Sequence, residues 1–255
     1  LLLNACGGGG GGGGASSGGA ASYTVPSCTD SGTRDTEYLF MGSYGDGGNG
    51  LTRVCASAAY ARDATGDGIK VAVLDTGITV NGSNAVFHTE LDANVASFTS
   101  GSDLIGTDNV PNDEQGHGSH VAGIIAGENN GSGYHGVAYD ATLYIYKVLN
   151  DSGSSVGNSI ASGITKARGD GVDIMNLSLG DSGTIGSTCN SASSCETSLG
   201  STLYTELEAS GAAGKILVWA AGNDGNSSPS TISGAAIYDD DFKETTVIVV
   251  ASGED

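Results

Sequence analysis

Three polar residues of this chain stand in settings that favour chemistry over structure. Asp75 closes the apolar run Val71-Ala72-Val73-Leu74 and is followed by Thr76-Gly77. A carboxylate placed there is costly to bury unless a cation or hydrogen-bond donor meets it. His117 is the natural partner. It lies in Gly116-His117-Gly118-Ser119-His120-Val121-Ala122-Gly123, with glycines clearing space on both sides of the imidazole. Asn223 ends Ala220-Ala221-Gly222-Asn223, and its side-chain amide can donate to a developing oxyanion. Acid, imidazole and amide are three of the four parts of a serine-based acyl-transfer site. The acid holds the imidazole in one tautomer and stabilises its protonated form, and an unperturbed imidazole titrates close to neutrality.

The segments around these residues read as alternating strands and helices. Near-continuous apolar runs at 69–74, 142–149, 172–177, 216–221 and 246–251 read as buried strands. Segments 54–64, 118–127, 156–168 and 201–213 read as helices, the first ended by Gly66-Asp67-Gly68. Alternation of this kind predicts an α/β fold with a mostly parallel central sheet and helices on both faces. Ligands of such sheets bind outside the carboxyl ends of the strands. Asp75, the turn Ser178-Leu179-Gly180 and Asn223 all fall at predicted carboxyl ends.

The motifs around Asp75 (continuing to Ile78), His117 and Asn223 together resemble those of the subtilisin-like serine peptidases. Gly66 to Leu74 is similar to that family's approach to its aspartate. The resemblance covers residues 54–255 and implies a subtilisin-like α/β fold and hydrolysis of peptide bonds in proteins, with no cofactor required. It makes Asp75 the orienting acid, His117 the general base and then acid, and Asn223 the oxyanion donor. Ser178, Leu179, Gly180, Ala221 and Gly222 become the substrate-binding edge. Lys147-Val148-Leu149 with Gly153-Ser154 becomes the opposite edge, clamping an extended peptide by strand addition. The family's serine sits in a Gly-Thr-Ser-x-Ala run about 65 residues after the oxyanion amide. No such run occurs before Asp255, so the resemblance places the serine beyond this chain and implies that residues 1–255 alone are inactive. A peptidase-like scaffold that only binds, as a surface adhesion module, is the alternative. Asp-Thr-Gly also marks aspartic proteases, but only one such triplet occurs, and that reading leaves His117 and Asn223 unused.

Composition narrows the partners. Lys and Arg total 9 against 29 Asp and Glu, a net charge of −20. So acidic a chain lacks the basic surface that neutralises nucleic-acid phosphates. No run of about 20 apolar residues could cross a membrane as a helix. Leu3-Asn4-Ala5-Cys6 resembles the end of a bacterial lipoprotein signal, which makes Cys6 a lipidation site; a chance Cys beside low-complexity sequence is the alternative. An unbroken glycine run, 7–14, continues from it as a flexible spacer. Together these features are similar to surface-anchored subtilases of Gram-negative bacteria, some of which carry a C-terminal membrane barrel. The expected organisation is signal end and linker in 1–22, an extension in 23–53, and an extracytoplasmic peptidase domain in 54–255. That domain is expected to be incomplete at its C-terminus, because the chain stops four residues past a strand-like run.

The other polar residues read as structural. Cys28, Cys55, Cys189 and Cys195 allow three pairings, which spacing does not decide; the short interval suits Cys189 with Cys195, leaving Cys28 with Cys55, and free buried thiols are the alternative. His120 reads as packing within its helix, and His88 and His135 as solvated loop residues. The four His show no metal-ligand spacing. Asp239-Asp240-Asp241 could hold Ca²⁺, but a solvated acidic loop is the better reading, so no metal site is assigned.

Overall fold

The computed structural model describes residues 37, 50–180, 196, 197, 199–222 and 247–250. Five parallel strands make the frame: β1 (Lys70–Asp75), β2 (Thr142–Lys147), β3 (Ile174–Leu177), β4 (Ile216–Ala220) and β5 (Val247–Val250). Their order is β2-β1-β3-β4-β5, with β1 paired to both β2 and β3. Consecutive strands are joined by α3 (His117–Ala126), α4 (Ser159–Gly169) and α5 (Ser201–Ala212). Two short helices, α1 (Gly50–Arg53) and α2 (Ala56–Tyr60), precede β1. The expected α/β architecture with a parallel sheet is the one observed.

Side-chain alternation along β1 divides the core in two. Val71 and Val73 point to one face, where they join Leu143, Ile145 and the α3 residues Val121, Ala122 and Ala126. Ala72 and Leu74 point to the other, where they join Ile160 and Ile164 of α4, Tyr204 and Leu207 of α5, and Leu217 and Trp219 of β4. Connection handedness explains this split. The crossover from β1 to β2 moves one way along the sheet, and those from β2 to β3 and β3 to β4 move the other way. Right-handed crossovers in opposite directions put their helices on opposite faces. The chain direction therefore reverses between β1 and β3, which opens a crevice at their carboxyl ends.

Local sequence accounts for the elements. On α4, Ile160, Ile164 and Ala167 recur at helical spacing and are buried, while Lys166 and Arg168 sit in the last turn, where cations complement the helix dipole. The free edge of β2 is covered by the long loop before α3, through parallel bridges at Val95 and Asp103. Covering an edge this way removes a template for unwanted strand pairing.

Two segments depart from expectation. The helix expected over 54–64 is shorter, Ala56–Tyr60, and α1 precedes the expected range; Cys55 between them adopts a left-handed conformation with φ of 57° and keeps the two apart. Cys55 is disulfide-bonded; Cys6, Cys28, Cys189 and Cys195 lie outside the described residues. The strand expected over 142–149 ends at Lys147. The consecutive N–H groups of Val148 and Leu149 both donate to the carbonyl of Asp75, the last residue of β1, at 2.9 and 3.1 Å, which an extended strand with alternating amides does not allow.

Trp219 is the single tryptophan and is buried, with its indole Nε1 donating to the carbonyl of Leu179 at 2.7 Å. Trp219→Phe removes that donor and leaves a buried carbonyl unpaired. It is expected to cost about 1–3 kcal/mol, measured as a lowered urea midpoint by circular dichroism.

Candidate active site

Asp75 ends β1 with no exposed surface. Its Oδ1 accepts from the backbone N–H of Thr76 at 2.7 Å and lies 2.7 Å from His117 Nδ1. An ionised carboxylate oxygen only accepts, so Nδ1 carries the proton, and in the neutral imidazole Nε2 keeps its lone pair. Asp75 Oδ2 has no hydrogen-bond partner among the described residues. The backbone around Asp75 is held from two directions. The amides of Val148 and Leu149 bond its carbonyl, and Lys147 Nζ donates to the carbonyl of Thr76 at 2.7 Å while pairing with Asp151 at 2.8 Å.

His117 is the first residue of α3 and keeps 14% of its side chain exposed. Its neighbours explain how it reaches Asp75. A Cβ on Gly118 would lie 2.3 Å from the carbonyl oxygen of Gly77, so only glycine lets the helix start sit this close to the end of β1. The N–H of Gly118 then donates to Thr76 Oγ1 at 2.9 Å. Gly116, just before the helix, has φ of 99°, a conformation that glycine adopts without strain.

Asp113 was not singled out by its sequence setting, yet it anchors the start of α3. Its Oδ1 accepts from the N–H of Gly116 at 2.8 Å, and its Oδ2 accepts from the N–H and hydroxyl of Ser119 at 2.9 and 2.7 Å. This is helix capping from outside the helix, with an acid near its positive end. An Asp shortly before a small-residue helix was the available signal. Burial opposes the charge on Asp113, but the hydrogen bonds from Ser119, Gly116 and Thr76 outweigh it and hold the carboxyl below its ordinary range. His117 shows the converse balance. Burial alone would lower its pKa, but the hydrogen bond and charge of Asp75, with the charge of Asp113, raise it above 6.5.

The other candidates divide. Ser178 and Leu179 follow β3 and so lie at the same sheet edge as Asp75. Ser178 Oγ accepts from Asn176 Nδ2 at 2.9 Å. Leu179 is buried in the core, and its carbonyl accepts from Trp219 Nε1. Ala221 and Gly222 follow β4, and the N–H of Ala221 donates to the carbonyl of Val250 at 2.8 Å. Asn223 and the acidic run at Asp239 lie outside the described residues. His120 is on α3 as expected, but exposed. His135 is buried, contrary to its expected solvation: Tyr60 and Tyr139 flank its ring edge-on, and its Nδ1 meets the carbonyl of Gly136 at 2.8 Å.

No group of three or more His, Cys, Asp or Glu suited to a metal occurs among the described residues. Glu37 and Glu90 are two further buried carboxylates. Glu37 Oε1 accepts from the N–H of Gly131, and its Oε2 has no hydrogen-bond partner among the described residues. Burial and the charge of Glu37 push Glu90 up.

Residues 66–254 match the model of the subtilase family, peptidase S8. The chain is similar to Subtilisin Savinase of Lederbergia lenta, 44% identical over 148 residues, covering 57% of this chain and 51% of that protein. It is also similar to Subtilisin DY of Bacillus licheniformis, 38% identical over 192 residues, covering 74% of this chain and 60% of that protein. Thermitase of Thermoactinomyces vulgaris is 35% identical over 168 residues, with coverages of 66% and 52%. The matched region thus spans about half the length of these relatives.

Two outcomes follow from this geometry. Gly118→Ala is expected to destabilise by about 1–3 kcal/mol through collision with the β1 end and to displace His117. Gly116→Ala meets open space and costs only the left-handed strain, about 1 kcal/mol. Paired urea titrations with imidazole NMR shifts separate the two. In a proton NMR titration, His117 should titrate above 6.5, and Asp113→Asn should lower that value. Because the folded pKa is the higher one, this ion pair's contribution to stability is full below about pH 6.5 and is lost as pH rises through the folded pKa.

Proposed function

The chain belongs to the subtilase family, and we propose that it forms the larger part of the catalytic domain of a serine endopeptidase acting on proteins. The observation that carries this reading is the 2.7 Å contact between His117 Nδ1 and the fully buried Asp75. It holds the proton on Nδ1, so that the neutral imidazole offers its Nε2 lone pair to a nucleophile. In the proposed cycle, a serine supplied by sequence following Asp255 attacks the peptide carbonyl while its hydroxyl proton passes to His117 Nε2. Asp75 stabilises the imidazolium. Asn223 donates to the oxyanion of the tetrahedral intermediate. The C–N bond then breaks, His117 returns its proton to the departing amine, and an acyl-enzyme remains. Water, deprotonated by the same imidazole, releases the acid and restores the serine.

The substrate lies extended between Ser178, Leu179 and Gly180 on one side and the segment 147–154 on the other, with Ala221 and Gly222 near the scissile bond. Residues 54–255 form the peptidase domain, 23–53 an extension, and 1–22 a lipid anchor at Cys6 with its spacer, which places the protein outside the cytoplasm. No helix among the described residues is long and apolar enough to cross a membrane. Nucleic acid is not a partner in this reading.

The test uses the protein encoded by the gene read through beyond Asp255. That protein should cleave casein and be labelled covalently by a sulfonyl fluoride, and His117→Ala should lower kcat by about 10⁴-fold or more while the fold persists. Residues 1–255 alone should do neither. A full-length protein that is folded, unlabelled and without turnover would overturn the reading in favour of a binding module.

A further inference from the structure

Lys147 is the last residue of β2 and is buried. It lies directly beside Asp75 in the register of the two parallel strands. Alternation along each strand puts both side chains on the face that carries α3, following Val73 on β1 and Ile145 on β2. The backbone of Lys147 is already paired with the loop that covers β2. Its N–H donates to the carbonyl of Ser102 at 2.8 Å, and its carbonyl accepts from the N–H of Leu104 at 2.9 Å. The ammonium is therefore the group left to act. It donates to the carbonyl of Thr76 at 2.7 Å and to Asp151 Oδ1 at 2.8 Å.

Stability alone is a poor reason for a lysine here. Burying an ammonium is expensive, and a partner that keeps 54% of its side chain in water returns little of that cost. What the ammonium fixes is the residue on which acid and base both depend. Thr76 is fully buried. Its N–H and its hydroxyl both donate to Asp75 Oδ1, at 2.7 and 3.3 Å, and its Oγ1 accepts from the N–H of Gly118, the residue after His117, at 2.9 Å. Two peptide planes flank Thr76. The one before it is held by the amides of Val148 and Leu149 on the carbonyl of Asp75. The one after it leads into Gly77, which has φ of 115° and the conformational freedom of a glycine. Lys147 holds that second plane through the Thr76 carbonyl. Its other anchor sits in a fixed turn, because Asn150 Oδ1 accepts from the N–H groups of Ser152 and Ser154 at 2.9 and 3.0 Å on either side of Asp151.

We propose that Lys147 is a positioning residue for the reaction. By locking the Thr76–Gly77 peptide, it holds Asp75 and the start of α3 in the arrangement that keeps His117 Nδ1 on the acid. It acts through Thr76 and not on the substrate. The proposal rests on the peptidase reading above and deepens it, because Lys147 and Asp151 tie the segment 147–154, proposed to hold the substrate, to the catalytic acid.

The experiment uses the full-length protein and two readouts: steady-state cleavage of an internally quenched peptide, and the low-field proton NMR resonance of His117 Nδ1. Lys147→Met keeps an unbranched apolar stem and removes the ammonium. It should lower kcat roughly 10- to 100-fold, the scale of a small misplacement of reacting groups, with KM within about 2-fold of wild type. The Nδ1 resonance should broaden or move upfield. Lys147→Gln, whose amide can still donate, should recover part of kcat. Tyr146→Phe is the control for lost stability. It removes a hydroxyl that donates to Asp170 at 2.7 Å, from a side chain on the other face of the sheet, and should leave both readouts unchanged. A folded Lys147→Met protein with wild-type kcat, or with an unchanged Nδ1 resonance, overturns the proposal and leaves the peptidase reading standing. A raised KM with kcat preserved also overturns it, because Lys147 would then serve substrate binding. If Lys147→Met does not fold, Lys147→Gln carries the test, and loss of fold in both overturns the proposal in favour of a purely structural lysine. Absence of turnover by the wild type overturns the peptidase reading. The Nδ1 resonance needs no turnover and still decides whether Lys147 holds the pair.

Discussion

A carboxylate with no exposed surface, set at the end of an apolar strand, is costly unless donors or a cation meet it on the spot. Asp75 is in that position, and much of the surrounding structure is arranged as its compensation. The Thr76 amide and the His117 imidazole bond its oxygen. Its own carbonyl is held by the two amides that end β2, and the neighbouring carbonyl of Thr76 is held by the buried ammonium of Lys147. The loop after β2, the start of α3 and the end of β1 are thereby tied to one point. The same bonds that make the burial tolerable also set the imidazole's orientation and its tautomer, so the conditions for stability and for proton transfer coincide here.

Close approach is what makes that arrangement possible. Gly77 and Gly118 meet where any side chain would collide with backbone, and a Cβ on Gly77 would lie 2.2 Å from the carbonyl of Pro111. Glycine in these positions lets the helix start and the strand end share hydrogen bonds directly, with Thr76 Oγ1 accepting from Gly118. The cost is chain entropy in the unfolded state. Asp113 offsets part of it by fixing the turn that leads into α3 through Gly116 and Ser119. The outcome is a helix whose first residue is held by its backbone as well as by its side chain.

The sheet separates two apolar cores between its faces. The α4 and α5 face holds the larger apolar core, including Trp219 and Leu179. The α3 face holds a smaller core. The topology imposes this division, because the connections reverse direction between β1 and β3 and right-handed crossovers must then place their helices on opposite faces.

The sequence by itself determined the order of strands and helices, the parallel α/β class, and the pairing of Asp75 with His117. Those features depend on local signals: apolar runs of strand length, glycines flanking a histidine, and a carboxylate that burial obliges to find a partner. Helix and strand ends were less legible, because they depend on contacts from elsewhere. β2 stops where its next two amides converge on the carbonyl of Asp75, and the helix expected over 54–64 begins only after the left-handed, disulfide-bonded Cys55. Asp113, the burial of His135 among tyrosines, the core position of Leu179 and the reach of Lys147 to Thr76 were decided only by the tertiary structure. Each depends on residues far apart in the chain meeting at one place, and neither periodicity nor spacing along a single segment encodes such a meeting.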